Sequence, residues 1–241
     1  MPPSRSVVVP CFNEERAIPD LVARFAALRA GPADDDWELV LVDNGSTDGS
    51  AALLRAAAAA HAPWLRVATV APPNVGYGHG ILTGLRAARG ELLAWTHADG
   101  QTPAADALVA LELLARSPDP TRTFVKGRRR GRPLADRAFT AGMQLAARAL
   151  LGEALPDING QPKAFHRALL ARAADAPHDL SLDLYLFLRA RRLGFEVRAF
   201  DVRFLPRAHG ESRWAFSWRS RARHVARALG FMRALGRAPR P

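Results

Sequence analysis

Cysteine is nearly absent. Cys11 is the only one in 241 residues, so no internal disulfide can form, and a reducing compartment fits. Lysine is almost as scarce: of 34 basic residues only Lys126 and Lys163 are lysines. The rest are arginine, and with the abundant alanine they point to compositional bias as one source of the charge. No run of about 18 uncharged apolar residues occurs, which argues against a membrane-spanning helix. The start carries no apolar signal core either, since Val7 to Val9 is short and closes at Pro10. These absences predict a cytoplasmic protein. Acids are also in deficit, 23 against 34 bases for a net charge of +11, so an anionic partner is expected: a membrane surface, a nucleic acid or a phosphorylated substrate. The length suits one large domain, or one domain with a tail.

Two stretches carry the strongest chemical signal, "ELVLVDNGSTDGS" (Glu38–Ser50) and "GELLAWTHADGQ" (Gly90–Gln101). Each reads as a buried strand breaking into a polar turn with carboxylates. Such turns at the C-terminal ends of strands are where α/β sheets bind ligands. A carboxylate with imidazole and amide neighbours can hold a hard divalent cation, and the cation a diphosphate.

The rest of the chain alternates around them. Strands are expected at Ser6–Val9, Trp37–Val42, Leu65–Val70, Leu92–Trp95, Thr121–Val125 and Phe195–Phe204. Asn13 can cap a first helix with Glu14 and Glu15 in its first turn, and Leu21, Phe25 and Leu28 supply its apolar face. Asp48 or Ser46 caps a helix over about 49–61. Further helices are expected at Ile81–Arg89, from Pro103 to about Arg116, at Phe139–Leu151 and at Leu180–Leu193. Gly76, Gly78 and Gly80 lie between strand and helix, where missing side chains let backbone amides approach a phosphate or ribose. Pro156 to Arg167 reads as a loop. The alternation predicts a mostly parallel sheet with helices on both faces.

Charge then gathers. "KGRRRGRPLADR" packs Lys126, Arg128, Arg129, Arg130, Arg132 and Arg137 into twelve residues. It lacks the interleaved aromatics of a nucleic-acid patch, so no nucleic-acid partner is expected; a solvated loop or a phosphate grip remain. The segment 215–241 interleaves aromatics with arginine. It suits a basic amphipathic helix at an anionic bilayer surface, or a core helix with a wet basic face. The expected division is 1–214 for the main domain and 215–241 for this tail.

Seven segments in order, "VVVPCFNEE", "LVDNGSTDGS", "NVGYGHGILTGLRAARGELLAWTHADGQ", "VKGRRRG", "DINGQPKAFHR", "LDLYLFLRARRLGFEVRAFDVRF" and "RAHGESRW", resemble the inverting glycosyltransferases of family 2. The nearest branch is typified by dolichol-phosphate mannosyltransferase and bacterial polyprenyl-phosphate glycosyltransferases. The resemblance implies a GT-A fold and a donor that is a UDP- or GDP-linked sugar. It places Pro10, Asn13, Glu14 and Glu15 along the nucleotide pocket, Asp43 at the base or ribose, and Asp48 on the same wall. As turn and cap residues, Asp43 and Asp48 would also be explained locally.

The family's metal segment reads Asp-Ala-Asp-x-Gln, and here His97 takes the first place, followed by Asp99 and Gln101. These three are the expected ligands of a divalent cation. Histidine suits Mn²⁺ and weakens the case for Mg²⁺. The resemblance also sets Lys126, Arg128 and Arg137 against an acceptor phosphate, with Asp157, Gln161 and Lys163 as acceptor or donor contacts. Arg207, His209, Ser212 and Arg213 would close over the diphosphate. A polyprenyl phosphate is the implied acceptor, which needs no general base; an acceptor hydroxyl would need one, and Asp183 is the candidate. A peripheral position at the inner face of the cell membrane follows, with a membrane partner subunit as another route to the lipid. A donor-binding protein without turnover is the rival reading, motivated by His97.

Overall fold

The computed structural model describes residues 3–31, 36–206 and 218–237. Its centre is a seven-stranded sheet in the order β3-β2-β1-β4-β6-β5-β7. The strands are β1 (Arg5–Cys11), β2 (Trp37–Asn44), β3 (Leu65–Val70), β4 (Leu92–Trp95), β5 (Thr123–Arg130), β6 (Lys163–His166) and β7 (Glu196–Arg203). The helices are α1 (Ile18–Arg29), α2 (Ser50–Ala60), α3 (Tyr77–Ala87), α4 (Ala104–Ala115), α5 (Leu134–Leu151), α6 (Arg167–Ala171), α7 (Leu182–Arg192) and α8 (Trp218–Arg237). Only β6 runs against its neighbours; the others share one direction.

Strand alternation sorts the core into two layers. Val7, Val9, Leu39, Leu41 and Ala94 face one cluster with Phe25 of α1, Leu54 of α2 and Leu111 of α4. Val8, Val40, Val42, Leu93 and Trp95 face the other, with Ile81 and Leu85 of α3, Leu151 of α5 and the α7 residues Leu184 to Leu188. The strands are buried on both sides, so they read as near-continuous apolar runs. Met232 of α8 is buried in the second cluster, and Leu229, Phe231 and Leu235 pack against it.

The expected α/β alternation is therefore observed, with several boundaries moved. β1 continues through Pro10 to Cys11, and β2 reaches Asn44, so Asp43 lies within the strand rather than in the turn. Asn13 does not cap a helix. It sits at φ 54° in a turn, and α1 begins only at Ile18. α3 begins at Tyr77, four residues early, so Gly78 and Gly80 lie inside the helix. β5 runs to Arg130, which makes Lys126 to Arg130 a strand and not a loop. α5 starts at Leu134, five residues before the expected Phe139. The supposed loop Pro156 to Arg167 contains β6, in the middle of the sheet.

The glycines of α3 have a packing explanation. A Cβ on Gly80 would lie 2.6 Å from the Asn44 side chain, and one on Gly84 would meet Val8 and come within 2.6 Å of Val42 Cγ2. The helix thus lies on the sheet at a distance that admits no side chain. Gly142, midway along α5, has nothing within 4 Å of the same position. Gly84→Ala is expected to destabilise the protein by about 1–3 kcal/mol through overpacking. Gly142→Ala should stabilise it by about 0.5–1 kcal/mol through helix propensity. Urea denaturation midpoints of the two variants check both signs.

Candidate functional site at the C-terminal edge of the sheet

Because six strands share a direction and β6 opposes them, the C-terminal ends of β1, β2, β4 and β5 meet the N-terminal end of β6 at one edge. Several of the expected residues within the described part, Pro10, Asp43, Lys126 and Lys163 among them, lie at or near these strand ends. Pro10 lies within β1, and the turn after it is laced to the turn after β2. The Asn13 side chain accepts from Thr47 N at 2.8 Å and donates to Thr47 Oγ1 at 3.2 Å, and Glu14 N donates to Ser50 Oγ at 2.9 Å. Glu15 Oε2 accepts from Gly49 N at 2.9 Å. Asp43 is buried and accepts from Ser46 N at 3.0 Å. Asp48 accepts from Ser50 N at 3.0 Å and from Glu15 N at 3.4 Å. Partial burial works against the Asp48 carboxylate, but the hydrogen bonds from Ser50 and Glu15 outweigh it and hold its pKa below the ordinary value. The N-cap of α2 is Gly49 rather than the expected Asp48 or Ser46; Asp48 stands one residue before it and bonds the first helical N–H, while Asp43 Oδ1 closes the turn at Ser46.

Beyond β4 the chain presents His97, Asp99 and Gln101. His97 is half-buried and stacks on Tyr77, the first residue of α3, with ring centroids 5.6 Å apart. Burial keeps its imidazole below the usual range, against the pull of Asp99 and Asp183. Asp99 Oδ1 accepts from Gln101 N at 3.1 Å, and the Gln101 amide donates to Leu205 O at 3.3 Å. Gly76, the N-cap of α3, accepts at its carbonyl from Asn44 Nδ2 at 3.0 Å. Gly78 is buried, and a Cβ there would lie 2.5 Å from Pro177 O, so its lack of a side chain has a packing cause.

The densest chemistry lies where β6 enters the sheet. Trp95, Lys163 and Lys126 stand in one row across β4, β6 and β5. Both lysines are buried, at 0% and 1% exposure. Lys163 forms an ion pair with Asp183 at the start of α7 and lies over the Trp95 ring. Gln161 donates to the same Asp183 oxygen at 2.7 Å and reaches Tyr77 Oη at 3.4 Å. Lys126 has carbonyls instead, donating to Gly127 O at 3.1 Å and Pro156 O at 3.0 Å. Burial lowers the pKa of both ammonium groups.

The arginines divide by strand alternation. Arg129 turns inward, where its Nε and one terminal nitrogen both donate to Asp157 Oδ1, while its backbone N–H donates to Asp157 Oδ2 at 2.8 Å. Burial opposes the ionised form of Asp157, but the Arg129 guanidinium prevails and lowers its pKa. Arg128 turns outward beside Arg130, and one carboxylate, Asp201, bonds both, at 2.5 Å and 2.8 Å. Arg137 is exposed on α5, whereas both lysines are buried. Asp157 is therefore an internal partner rather than a free group. Arg129, Tyr77 and Trp95 were missed in the sequence. Alternation along "KGRRR" would have singled out Arg129 had the run been read as a strand. Arg207, His209, Ser212 and Arg213 lie outside the described residues.

Of the residues expected to hold a divalent cation, His97 and Asp99 follow β4, while the Gln101 amide bonds Leu205 O. Among the described residues no three His, Cys, Asp or Glu side chains are grouped to enclose a metal. One carboxylate, Asp99, with the imidazole of His97 suits a cation whose remaining ligands come from a bound diphosphate, as is usual for such ions. The nitrogen donor favours Mn²⁺ over Mg²⁺.

Lys126 supplies a pH test. Its ammonium falls from an ordinary 10.5 to about 7, through burial first and the neighbouring Lys163 second. Between those values the unfolded chain binds more protons than the folded one. Stability should therefore rise with pH across that window and be lost as pH falls through about 7. The unfolding free energy of the wild type relative to Lys126→Met is expected to gain on the order of 3 kcal/mol between pH 7 and pH 10. A flat difference in urea titrations would show that the ammonium carries no folding penalty.

The chain is 32% identical over 215 residues to the undecaprenyl-phosphate 4-deoxy-4-formamido-L-arabinose transferase of Pseudomonas aeruginosa (strain LESB58), covering 87% of this chain and 60% of that protein. It is 27% identical over 211 residues to the enzyme of the same name from Aeromonas hydrophila, covering 87% of this chain and 62% of the relative. The chain thus spans less than two thirds of the length of these relatives. Among solved structures, a mannosyltransferase from Pyrobaculum calidifontis in complex with GDP-Man and Mn²⁺ superposes with a TM-score of 0.67 at 25% identity, covering 100% of this chain and 66% of the other. Glucosyl-3-phosphoglycerate synthase from Mycobacterium tuberculosis, in complex with Mn²⁺, UDP and phosphoglyceric acid, shares the fold with a TM-score of 0.73 at 22% identity, covering 98% and 80%. The model of the family "Glycosyl transferase family 2" matches residues 6–173, which hold β1 to β6 and most of the edge just described. On this match over more than half of its length, and on the relative at 32% identity, this chain belongs to glycosyl transferase family 2.

Proposed function

We propose that the chain transfers a sugar, with inversion, from a UDP- or GDP-linked donor to a polyprenyl phosphate. One observation carries the reading: a single sheet edge gathers Asp43, His97 and Asp99 beside a buried cationic cluster built on Lys163, Lys126 and Arg129. Nucleoside, diphosphate and an anionic acceptor each find complementary chemistry there. Asp43 accepts from ribose or base, with Asn13, Glu14, Glu15 and Asp48 shaping that wall. Asp99 and His97 would hold the cation. When bound, the cation neutralises charge gathering on the leaving diphosphate.

The state of Asp183 favours a phosphate acceptor over a hydroxyl. Its Oδ1 already accepts from Lys163 and Gln161, a poor arrangement for taking a proton. A phosphate acceptor is ionised near neutrality and attacks the anomeric carbon without a base, so positioning and electrostatics carry the step. The names of the relatives, which are transferases acting with undecaprenyl phosphate, support the same acceptor class. No helix among the described residues is long and apolar enough to cross a membrane. The lipid would then be met at a membrane surface, or through a membrane-embedded partner subunit.

Two experiments test this. UDP or GDP with Mn²⁺ should raise the melting temperature of the wild type. Asp99→Ala should lose the metal-dependent part, and an unchanged shift would remove Asp99 from the site. In the second, radiolabelled donor sugar should pass into an organic-extractable, mild-acid-labile product in the presence of polyprenyl phosphate. Asp183→Asn should lower the melting temperature, because Lys163 loses its counter-charge, yet kcat per folded molecule should fall less than about tenfold, whereas loss of a general base costs roughly 10²–10⁴-fold. A loss in that higher range, with transfer only to saccharide hydroxyls, would favour the hydroxyl-acceptor reading.

A further inference from the structure

α5 is an unusual helix for its place in the fold. Of its 18 residues only Ala147 and Leu151 are buried, both in the last turns. There Met143, Ala146 and Leu150 pack on the core and on α8. The first half has no buried residue, yet it is not polar. Leu134 is 77% exposed, Leu145 is 70% exposed and Phe139 is 39% exposed, the first two being the most exposed large apolar side chains among the described residues. At 100° per residue, Leu134, Ala138, Ala141 and Leu145 fall on one stripe, with Gly142 and Ala149 at its border. Arg137 and Arg148 line one side of the stripe, both exposed. α8, packed alongside, exposes Arg223, Arg227, Arg233 and Arg237 and contains no acidic residue.

We propose that this stripe of α5 is a docking face for an anionic lipid bilayer, with the arginines of α5 and α8 meeting the headgroups. Exposed leucines on a helix bordered by arginine are the composition of an interfacial helix: apolar area enters the acyl boundary and guanidiniums bind phosphates. Charge complementarity selects this occupant over a second copy of the chain. Two copies would bring the same arginine borders together on a molecule that already carries +11. Position supports it too. α5 departs from the end of β5, so Leu134 stands at the edge of the sheet that holds the candidate site, and Leu145 lies about 16 Å further along the helix. A bilayer on this face would bring a lipid phosphate to the edge carrying Lys126 and Arg129. The docking inference takes its purpose from the lipid-acceptor reading, but vesicle binding needs no catalysis to be measured.

Flotation of the full chain with phosphatidylcholine vesicles, with and without phosphatidylglycerol, tests it. The wild type is expected to float with the anionic vesicles and to be released by high salt. Leu134→Glu/Leu145→Glu should weaken that partitioning at least about tenfold, from lost apolar burial and added repulsion. The melting temperature, and the shift given by nucleotide and Mn²⁺, should stay as in the wild type, which shows the variant folded and the donor site intact. Arg223→Glu/Arg227→Glu should weaken partitioning to anionic vesicles as well. Wild type that fails to float, or a leucine variant that floats equally well, overturns the proposal. So does a wild-type dimer by light scattering that the leucine variant breaks, which would give the stripe to a second copy. If vesicle binding behaves as expected while no lipid-linked product forms, the docking face stands and the acceptor assignment alone fails.

Discussion

A buried ammonium facing a buried carboxylate, Lys163 against Asp183, fixes the geometry around which the site is built. Two ions cannot leave water at this depth unless each satisfies the other, and removing one partner of such a pair typically costs about 3–5 kcal/mol. The pair therefore ties three elements that are distant in sequence: β6, the start of α7 and, through Gln161 and Tyr77, the start of α3. Lys126, one strand over, has no carboxylate of its own in that row and rests on carbonyls. The two lysines thus sit side by side with one carboxylate between them in that row, and burial favours the neutral form of Lys126. The antiparallel β6 is what puts the lysines side by side, since it is the reversal that sets Lys163 opposite Lys126.

The opposite edge of the sheet is equally polar but closed. Glu38 is buried there, accepting from Ser6 Oγ at 2.8 Å and Arg89 N at 2.5 Å and pairing with Arg66 at 3.2 Å. Gly90 N completes the set by donating to Ser6 Oγ at 2.9 Å. Every charge has its partner within the chain, so the cluster holds β1, β2 and the α3–β4 turn together and offers nothing to a ligand. The contrast between the two edges separates polar groups that staple from those that receive.

Much of the fold was legible because its signals were local. β3 and β4 are short apolar runs bounded by turn residues, and both fall at the expected residues. The carboxylate turns after β2 and β4 were visible for the same reason. What was hidden depends on the partner. "YGHG" looked like a flexible approach to phosphate, because nothing in it reveals that Asn44, Val8 and Val42 press against the helix. "KGRRR" looked like a loop, because its charges satisfy themselves on Asp157 and Asp201, one far upstream of the other and neither adjacent. "QPKAFH" hid a central strand, since a lysine there is tolerable only once Asp183, twenty residues on, folds over it. The seven motifs in order carried the family further than any of these local readings did.

The outward-facing trio of Arg128, Asp201 and Arg130 works as a clasp at the rim. One carboxylate restrains two guanidiniums, all three open to solvent. Attractions between such exposed charges fade over about 8 Å in physiological salt and more sharply as salt rises. The clasp is therefore loose by construction, and ionic strength sets how much positive field this corner of the protein projects. An incoming polyanion would compete with Asp201 for guanidiniums already held in place on a strand, so the corner is pre-shaped for exchange of one counter-charge for another.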